Sequence, residues 1–265
     1  MPEKLRTVFI GGDHRRHRYY CALVSPHVRQ VGAVIQKRED ILPEPPPGIS
    51  ERDRDNWWRH FGKRDTAEKA YFGQHLKLRD ALYLKNINSP EAADYVRERE
   101  PELVLIFGTG MIRQPLMSVL PKDAINLHLG LSPRYRGAAT LFWPFYFLEP
   151  NHAGYTFHRI VAEPDAGEII HQGRPKMFKT DGLHDVGARA VLYATQDMID
   201  LLKWRATGID WKFKRQTNTG KCFLKNDFQP QHLRMIYETF DDDIAAQYLT
   251  GRLKGREPKM YQENL

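Results

Sequence analysis

Short apolar runs separated by longer amphipathic stretches set the rhythm of the first half of this chain. Thr7–Ile10, Val31–Ile35 and Leu103–Phe107 have strand length and read as buried strands. Leu82–Leu84 is a weaker one. In Ala124–Leu129 the apolar Ile125, Leu127 and Leu129 alternate with Asn126 and His128, so the spacing predicts a strand with both polar side chains on one side. Their Cβ atoms would lie roughly 6–7 Å apart on that face. Between the strands the pattern turns helical. His14 opens a helix whose apolar side is Tyr20, Leu23 and Val24. Glu51 to about Arg79 places Trp57, Trp58, Phe61, Ala67, Ala70, Tyr71 and Phe72 at helical spacing and predicts one or two helices lying on the core or forming a lid. Ser89 as N-cap with Pro90 at the first helical position starts a helix that runs to about Arg99. A further helix is expected near Ile112–Leu120. The resulting β-α-β-α-β-α-β-α-β order predicts a Rossmann-like α/β fold, a doubly wound, mostly parallel sheet with ligands at the strand C-terminal ends.

The second half predicts an aromatic helix at Ala138–Leu148, mostly core, and strands at Thr156–Val161 and Glu168–Gln172. It also predicts a long amphipathic helix from Leu183 to about Thr207. After Gly208 come a short strand at Lys221–Leu224 and a helix around Gln231–Leu249. These suggest a main domain over 1–207, with a helical insertion at about 43–85 entered through Pro43–Gly48. A small α/β region over 208–265 would serve dimerisation or substrate contact.

Composition narrows the function classes. Hydrophobic residues at 41% and charged residues at 28% fit a soluble globular protein, and no apolar run of membrane-spanning length occurs. The N-terminus lacks the apolar region of a signal peptide. Two cysteines with no CxxC fit a reducing, cytoplasmic setting, and no metal site is expected. A net charge of +7 points to an anionic partner without choosing one. The Gly11-Gly12 turn before a helix carrying Arg15 and Arg16 reads equally as a phosphate site or as a solvated basic first turn.

Asn126 and His128 are the chemistry-bearing pair. An amide N–H donates to an oxygen that becomes negative during acyl transfer, and an imidazole moves a proton at neutral pH. Read from spacing alone, they are better explained as the polar face of a half-exposed strand. Asp165, read alone, is a turn residue.

Asn126-x-His128, then Ser132-Pro133-Arg134-Tyr135-Arg136-Gly137, then Asp165-x-Gly167 after a strand, together resemble the formyltransferases that use N10-formyltetrahydrofolate. The resemblance covers Leu103–Thr207 well and Met1–Ile35 in outline. It departs at Ala166, where the family has Thr, at Leu129–Ser132, and in the Pro43–Arg79 segment. It implies the formyltransferase fold and the folate as co-substrate, with Asn126, His128 and Asp165 catalytic. It implies a pterin site along Phe107, Gly108, Thr109, Gly110, Met111, Ala162 and Glu163. Arg134, Tyr135 and Arg136, with Gly11, Gly12, Arg15 and Arg16, would meet the acceptor. The short region after Gly208 is similar to that of formyltransferases acting on nucleotide-linked amino sugars in surface-polysaccharide pathways, often homodimers. Nucleic acid is not expected as a partner. Methionyl-tRNA or glycinamide ribonucleotide as acceptor, hydrolysis of the folate, and non-catalytic folate or anion binding are the alternatives.

Overall fold

The computed structural model describes residues 4–37, 41–73, 80–217 and 220–265. Strand β1 (Arg6–Gly12) leads into α1 (Arg15–Val24), then β2 (Arg29–Gln36), α2 (Glu51–Phe72), β3 (Ala81–Leu84), α3 (Pro90–Arg99), β4 (Leu103–Phe107) and β5 (Asp123–His128). A short strand β6 (Tyr135–Gly137) and one helical turn α4 (Trp143–Tyr146) precede β7 (Tyr155–Arg159) and β8 (Ile169–Gly173). Helix α5 (Leu183–Ala206), β9 (Lys221–Phe223) and α6 (Ile244–Leu249) complete the chain. The main sheet has the order β3-β2-β1-β4-β5-β7-β8. Its first five strands are parallel, and β7 and β8 run antiparallel to their neighbours. The order reverses between β1 and β4, which opens a crevice at their C-terminal ends, where α/β sheets bind ligands.

Alternation along the strands sorts the core into two faces. Phe9, Leu105, Phe107, Ile125 and Leu127 pack with Tyr20 of α1 and with Ala190, Val191 and Ala194 of α5. Val8, Ile10, Val104, Ile106 and Ala124 face the other way, toward Ala92 and Val96 of α3. Asn126 and His128 follow Ala124 on that second face, just past the part that α3 covers.

Helix α3 keeps the expected bounds because Ser89 Oγ accepts from the Ala92 N–H at 3.3 Å and Pro90 has no N–H to lose. Other expectations change. Ile112–Leu120 contains only a single 3₁₀ turn, Leu116–Val119, since Pro115 removes a donor mid-segment. Of Ala138–Leu148 only α4 is α-helical. Its rings form the centre of an aromatic cluster, although Phe147 is exposed. Around α1, His17 and Cys21 take the inward positions and Leu23 faces solvent. The helical region Gln231–Leu249 breaks at Asp241 and Asp242, whose φ values are 48° and 64°. The break has a function: Asp242 accepts the Leu183 N–H at 3.0 Å, so this acid caps the N-terminus of α5 from a distance.

Helix α2 is one helix to Phe72; the remainder of the expected Glu51–Arg79 stretch falls partly outside the described residues. It is no loose lid. Arg234 pairs with Asp53 at 2.6 Å, Lys63 reaches Asp242 at 2.8 Å, and Arg52 and Asn56 both bond Glu238. Residues after 208 are built into the same core: Asn264 bonds the Ile170 carbonyl at 2.7 Å, and Tyr261 exchanges bonds with Gln172. Among the described residues, no helix is long and apolar enough to cross a membrane.

Candidate active site

A cavity of about 1280 Å³ opens at the crevice. The loop Phe107–Ile112 after β4, the end of β5, the loop Val161–Asp165, α2 and the start of α5 all line it. Asn126, His128, His158 and Asp165 meet on its floor.

The register brings them together. Asn126 lies directly opposite His158 across the antiparallel β5–β7 pair, so both project from the same face. Asp165 reaches them from the β7–β8 loop with φ of 47°, a left-handed backbone that aspartate and asparagine tolerate better than most residues. Gln216 pins that loop by donating to the carbonyls of Asp165 and Gly167 at 2.8 and 2.7 Å. The Asp165 carboxylate accepts from the Gly137 N–H at 2.8 Å. It lies 3.2 Å from His158 Nε2, 3.4 Å from Asn126 Nδ2 and 3.3 Å from His128 Nδ1. Burial opposes its ionisation. The His128 and His158 rings and the Gly137 N–H outweigh burial and hold the carboxyl well below the usual carboxylate range.

Tautomers follow from the network. His158 Nδ1 sits 2.8 Å from the Arg159 carbonyl and therefore carries a proton. Its Nε2 sits 3.1 Å from Asn126 Nδ2 and 3.2 Å from the Asp165 carboxylate. Both Asn126 contacts lie on one side of the amide nitrogen, so one amide hydrogen serves them and the other is left for a ligand. His128 Nε2, 2.9 Å from the Tyr135 carbonyl, likewise carries a proton. Its lone pair is on Nδ1, beside Asp165. Burial lowers the His128 pKa against the opposing pull of Asp165, so the ring is neutral at pH 7. The floor thus offers an oriented amide donor, a neutral base, and a carboxylate ready to stabilise that base once it is protonated.

The other candidate residues divide. Phe107, Gly108, Thr109, Gly110, Met111 and Glu163 line the cavity, and Ala162 lies in the same loop as Glu163. Gly110 N–H already bonds Gln36 Oε1 at 2.7 Å. Gly11 and Gly12 end β1 and are buried. A side chain at Gly12 would collide with the His17 ring and the Gly108 carbonyl, whereas one at Gly11 would make only ordinary contacts. Arg15 pairs with Asp65 at 2.8 Å and Arg16 with Glu68, both acids of α2. Arg16 still lines the cavity and Arg15 does not. Arg134 forks onto Glu149 and, with Tyr135, lines a separate cleft of about 630 Å³. Tyr135 contributes its carbonyl to His128. Arg136 is buried and reaches Glu163 at 3.3 Å. His158, unassigned from sequence, sits at the centre of the network; its place opposite Asn126 depends on the antiparallel β5–β7 register.

A family model described as formyl transferase matches residues 60–201, just over half of the chain. The chain belongs to the formyl transferase family. Solved structures of similar fold include a sugar N-formyltransferase from Shewanella, with TM-score 0.56 and 17% identity over 87% of each chain. A glycinamide ribonucleotide transformylase from Symbiobacterium toebii gives 0.54 and 16%, over 80% of this chain and 94% of that one. WlaRD, a sugar 3N-formyl transferase solved in the presence of dTDP and 5-N-formyl-THF, gives 0.55 and 14%, over 94% and 82%. These likenesses establish the formyltransferase fold. In this formyltransferase the match begins inside α2, so the second half of that helix belongs to the family core, while β1, α1, β2 and everything after residue 201 lie outside the match.

Proposed function

We propose that this formyltransferase moves the formyl group of N10-formyltetrahydrofolate to the amino group of a nucleotide-linked amino sugar. The observation that carries the chemistry is the convergence of Asn126, neutral His128 and ionised Asp165 on one cavity floor. Asn126 would donate its second amide hydrogen to the formyl oxygen as that oxygen gains negative charge. Such a donor is worth about 2.7–4 kcal/mol in the transition state. His128 Nδ1 would take the proton released by the acceptor amine and return it to the folate nitrogen as that nitrogen leaves. Asp165 would stabilise the imidazolium in between, and His158 would keep the Asn126 amide aimed. The folate's ring end would lie along Gly108–Met111 and Val161–Glu163, where backbone groups can read its edge.

Two features support the acceptor class. The cavity exceeds the roughly 300–1,000 Å³ of common small-ligand sites, leaving room for a bulky acceptor beside the folate. Arg16, Lys37, Arg64 and Lys225 line it, a set of cations suited to a diphosphate. The dTDP of the WlaRD structure agrees with this acceptor class. A homodimeric, cytoplasmic enzyme of polysaccharide biosynthesis goes with the reading, and size-exclusion chromatography with light scattering tests the dimer. The deciding experiment follows folate release by absorbance with nucleotide-linked amino sugars, glycinamide ribonucleotide, methionyl-tRNA and water. Release confined to a nucleotide sugar supports the proposal. Release with any other acceptor, or with water, replaces it.

A further inference from the structure

The cavity holds a second polar centre that the formyl-transfer groups do not use. His60, from the inner face of α2, and His184, from the first turn of α5, both line it. Their rings lie 4.4 Å apart, and His184 Nε2 is 3.3 Å from His60 Nδ1. The Tyr237 hydroxyl is 2.9 Å from the same His60 nitrogen. His60 Nδ1 has one lone pair or one hydrogen, and the nearer Tyr237 hydroxyl is its hydrogen-bond partner. His60 Nε2 and His184 Nδ1 take no part in either contact. Each neutral ring carries one N–H and one lone pair, and a hydroxyl group, which both accepts and donates, can pair with either.

The surroundings are aromatic, with Arg64 over the Phe61 ring at 4.6 Å. The His60 ring meets Phe61 at 5.0 Å edge-on, and Phe228 and Phe142 at 5.8 and 6.0 Å, and all three line the cavity. Burial, with a smaller push from Arg64, takes His60 down to about 3, and His184 falls well below its ordinary value for the same first reason. Flat ring faces around two neutral imidazoles suit a pyranose, which presents apolar C–H faces and equatorial hydroxyls.

We propose that His60 and His184 form the acceptor-specificity site of this enzyme, reading a sugar hydroxyl with their imidazole nitrogens against the Phe61, Phe142 and Phe228 rings. This rests on the amino-sugar reading above and assigns its recognition to named residues. Tyr237 is a positioning residue that holds the His60 ring through its hydroxyl.

The test uses the full chain, N10-formyltetrahydrofolate, and the nucleotide-linked amino sugar that turns over, together with its single-deoxy analogues. Wild type is expected to prefer the hydroxylated acceptor to one of the deoxy analogues by about 10-fold in kcat/KM, the equivalent of about 1.4 kcal/mol. His184→Phe is expected to raise the acceptor KM by about 3- to 10-fold, to hold the formyl-donor KM, and to lose that preference. Tyr237→Phe leaves the fold's packing in place and is expected to weaken the preference by about half as much on the logarithmic scale. Retained preference in folded His184→Phe and His60→Gln overturns the inference while leaving the amino-sugar reading intact. A rise in donor KM instead assigns this bay to the folate and also overturns it. Wild type that formylates no amino sugar overturns both.

Discussion

Replacing Asp165 by asparagine isolates the electrostatic part of the proposed mechanism. The left-handed φ of 47° suits asparagine as well as aspartate, so the loop keeps its course. The amide oxygen still accepts from Gly137 N–H. What disappears is a negative charge 3.3 Å from His128 Nδ1. Two unit charges at that distance attract by about 5 kcal/mol at an effective dielectric of about 20. Part of this is offset, because the neutral ring also gains from the carboxylate and because the buried charge costs solvation. A loss of about 3–4 kcal/mol in the transition state, or 10²–10³ in kcat, is the resulting expectation. An asparagine NH2 turned toward Nδ1 would also donate to the lone pair that must receive the proton, which acts in the same direction. The assay is folate release at saturating donor and acceptor, with both KM values and the thermal midpoint measured in parallel. Asp165→Asn should keep its KM values within about threefold and its midpoint within about 4 °C, the size of a 1 kcal/mol change. A folded variant with kcat within about fivefold of wild type would remove Asp165 from the proton chemistry and refute the assignment of His128 Nδ1 as base.

Asn126→Ala should lower kcat by about 10²–10³ with donor affinity nearly constant, since the lost bond forms fully only as the formyl oxygen becomes negative; a pure affinity defect measured by titration of the folate would argue for a binding role. Because burial favours neutral His128, the free-enzyme kcat/KM profile should be flat near neutrality and fall on the acid side below about pH 6.5; a limb centred above that value contradicts the neutral ring. The sign for stability is the same: the unfolded chain takes up protons at His128, His60 and His184 before the folded one does, so acidification from about pH 7 to about pH 5 should lower the thermal midpoint. Gly108→Ala should cost about 2 kcal/mol or more and raise the donor KM, because φ is 75° and a side chain there collides with His17, whose ring is held 4.7 Å from Phe107; an unchanged melting curve would mean the loop yields freely.

What could be read from sequence, and what could not, divides along the range of the interactions. The strands and α3 were legible because their signals are local: runs of apolar residues, a serine cap, a proline at the first helical position. Asn126 and His128 were legible as a pair because strand spacing puts them on one face. Asp165 became meaningful only through resemblance, since its approach depends on the β7–β8 turn. His158 needed the antiparallel register of β5 and β7, which no local pattern states. Arg15 and Arg16 read as a possible anion site because their partners, Asp65 and Glu68, lie some fifty residues further on in a helix whose docking was unknown. The Ala138–Leu148 aromatics suggested a helix by periodicity, yet their rings stack across segments, Trp143 on Phe223 at 4.6 Å among them, and that packing overrides the local repeat.

The same division separates the proposed chemistry from the proposed selectivity. Asn126, His128, His158 and Asp165 all fall within residues 60–201, the part that matches the family, and they stand on the adjacent strands β5 and β7 and the turn that follows β7. The walls of the second polar centre straddle that limit. His60 is the first matched residue and His184 and Phe142 lie inside, whereas Phe228 and Tyr237 come from the chain after α5. Those later residues are held by α2 through Arg234–Asp53 and Lys63–Asp242, and Asp242 in turn caps the helix that carries His184. One set of contacts therefore fixes both histidines and the rings around them, independently of the strand ends that hold the reacting groups. With this construction, acceptor recognition can be altered through α2 and the residues after 208 without disturbing the geometry of Asn126, His128 and Asp165. Substitutions in the bay should accordingly separate KM from kcat, and substitutions on the floor should not.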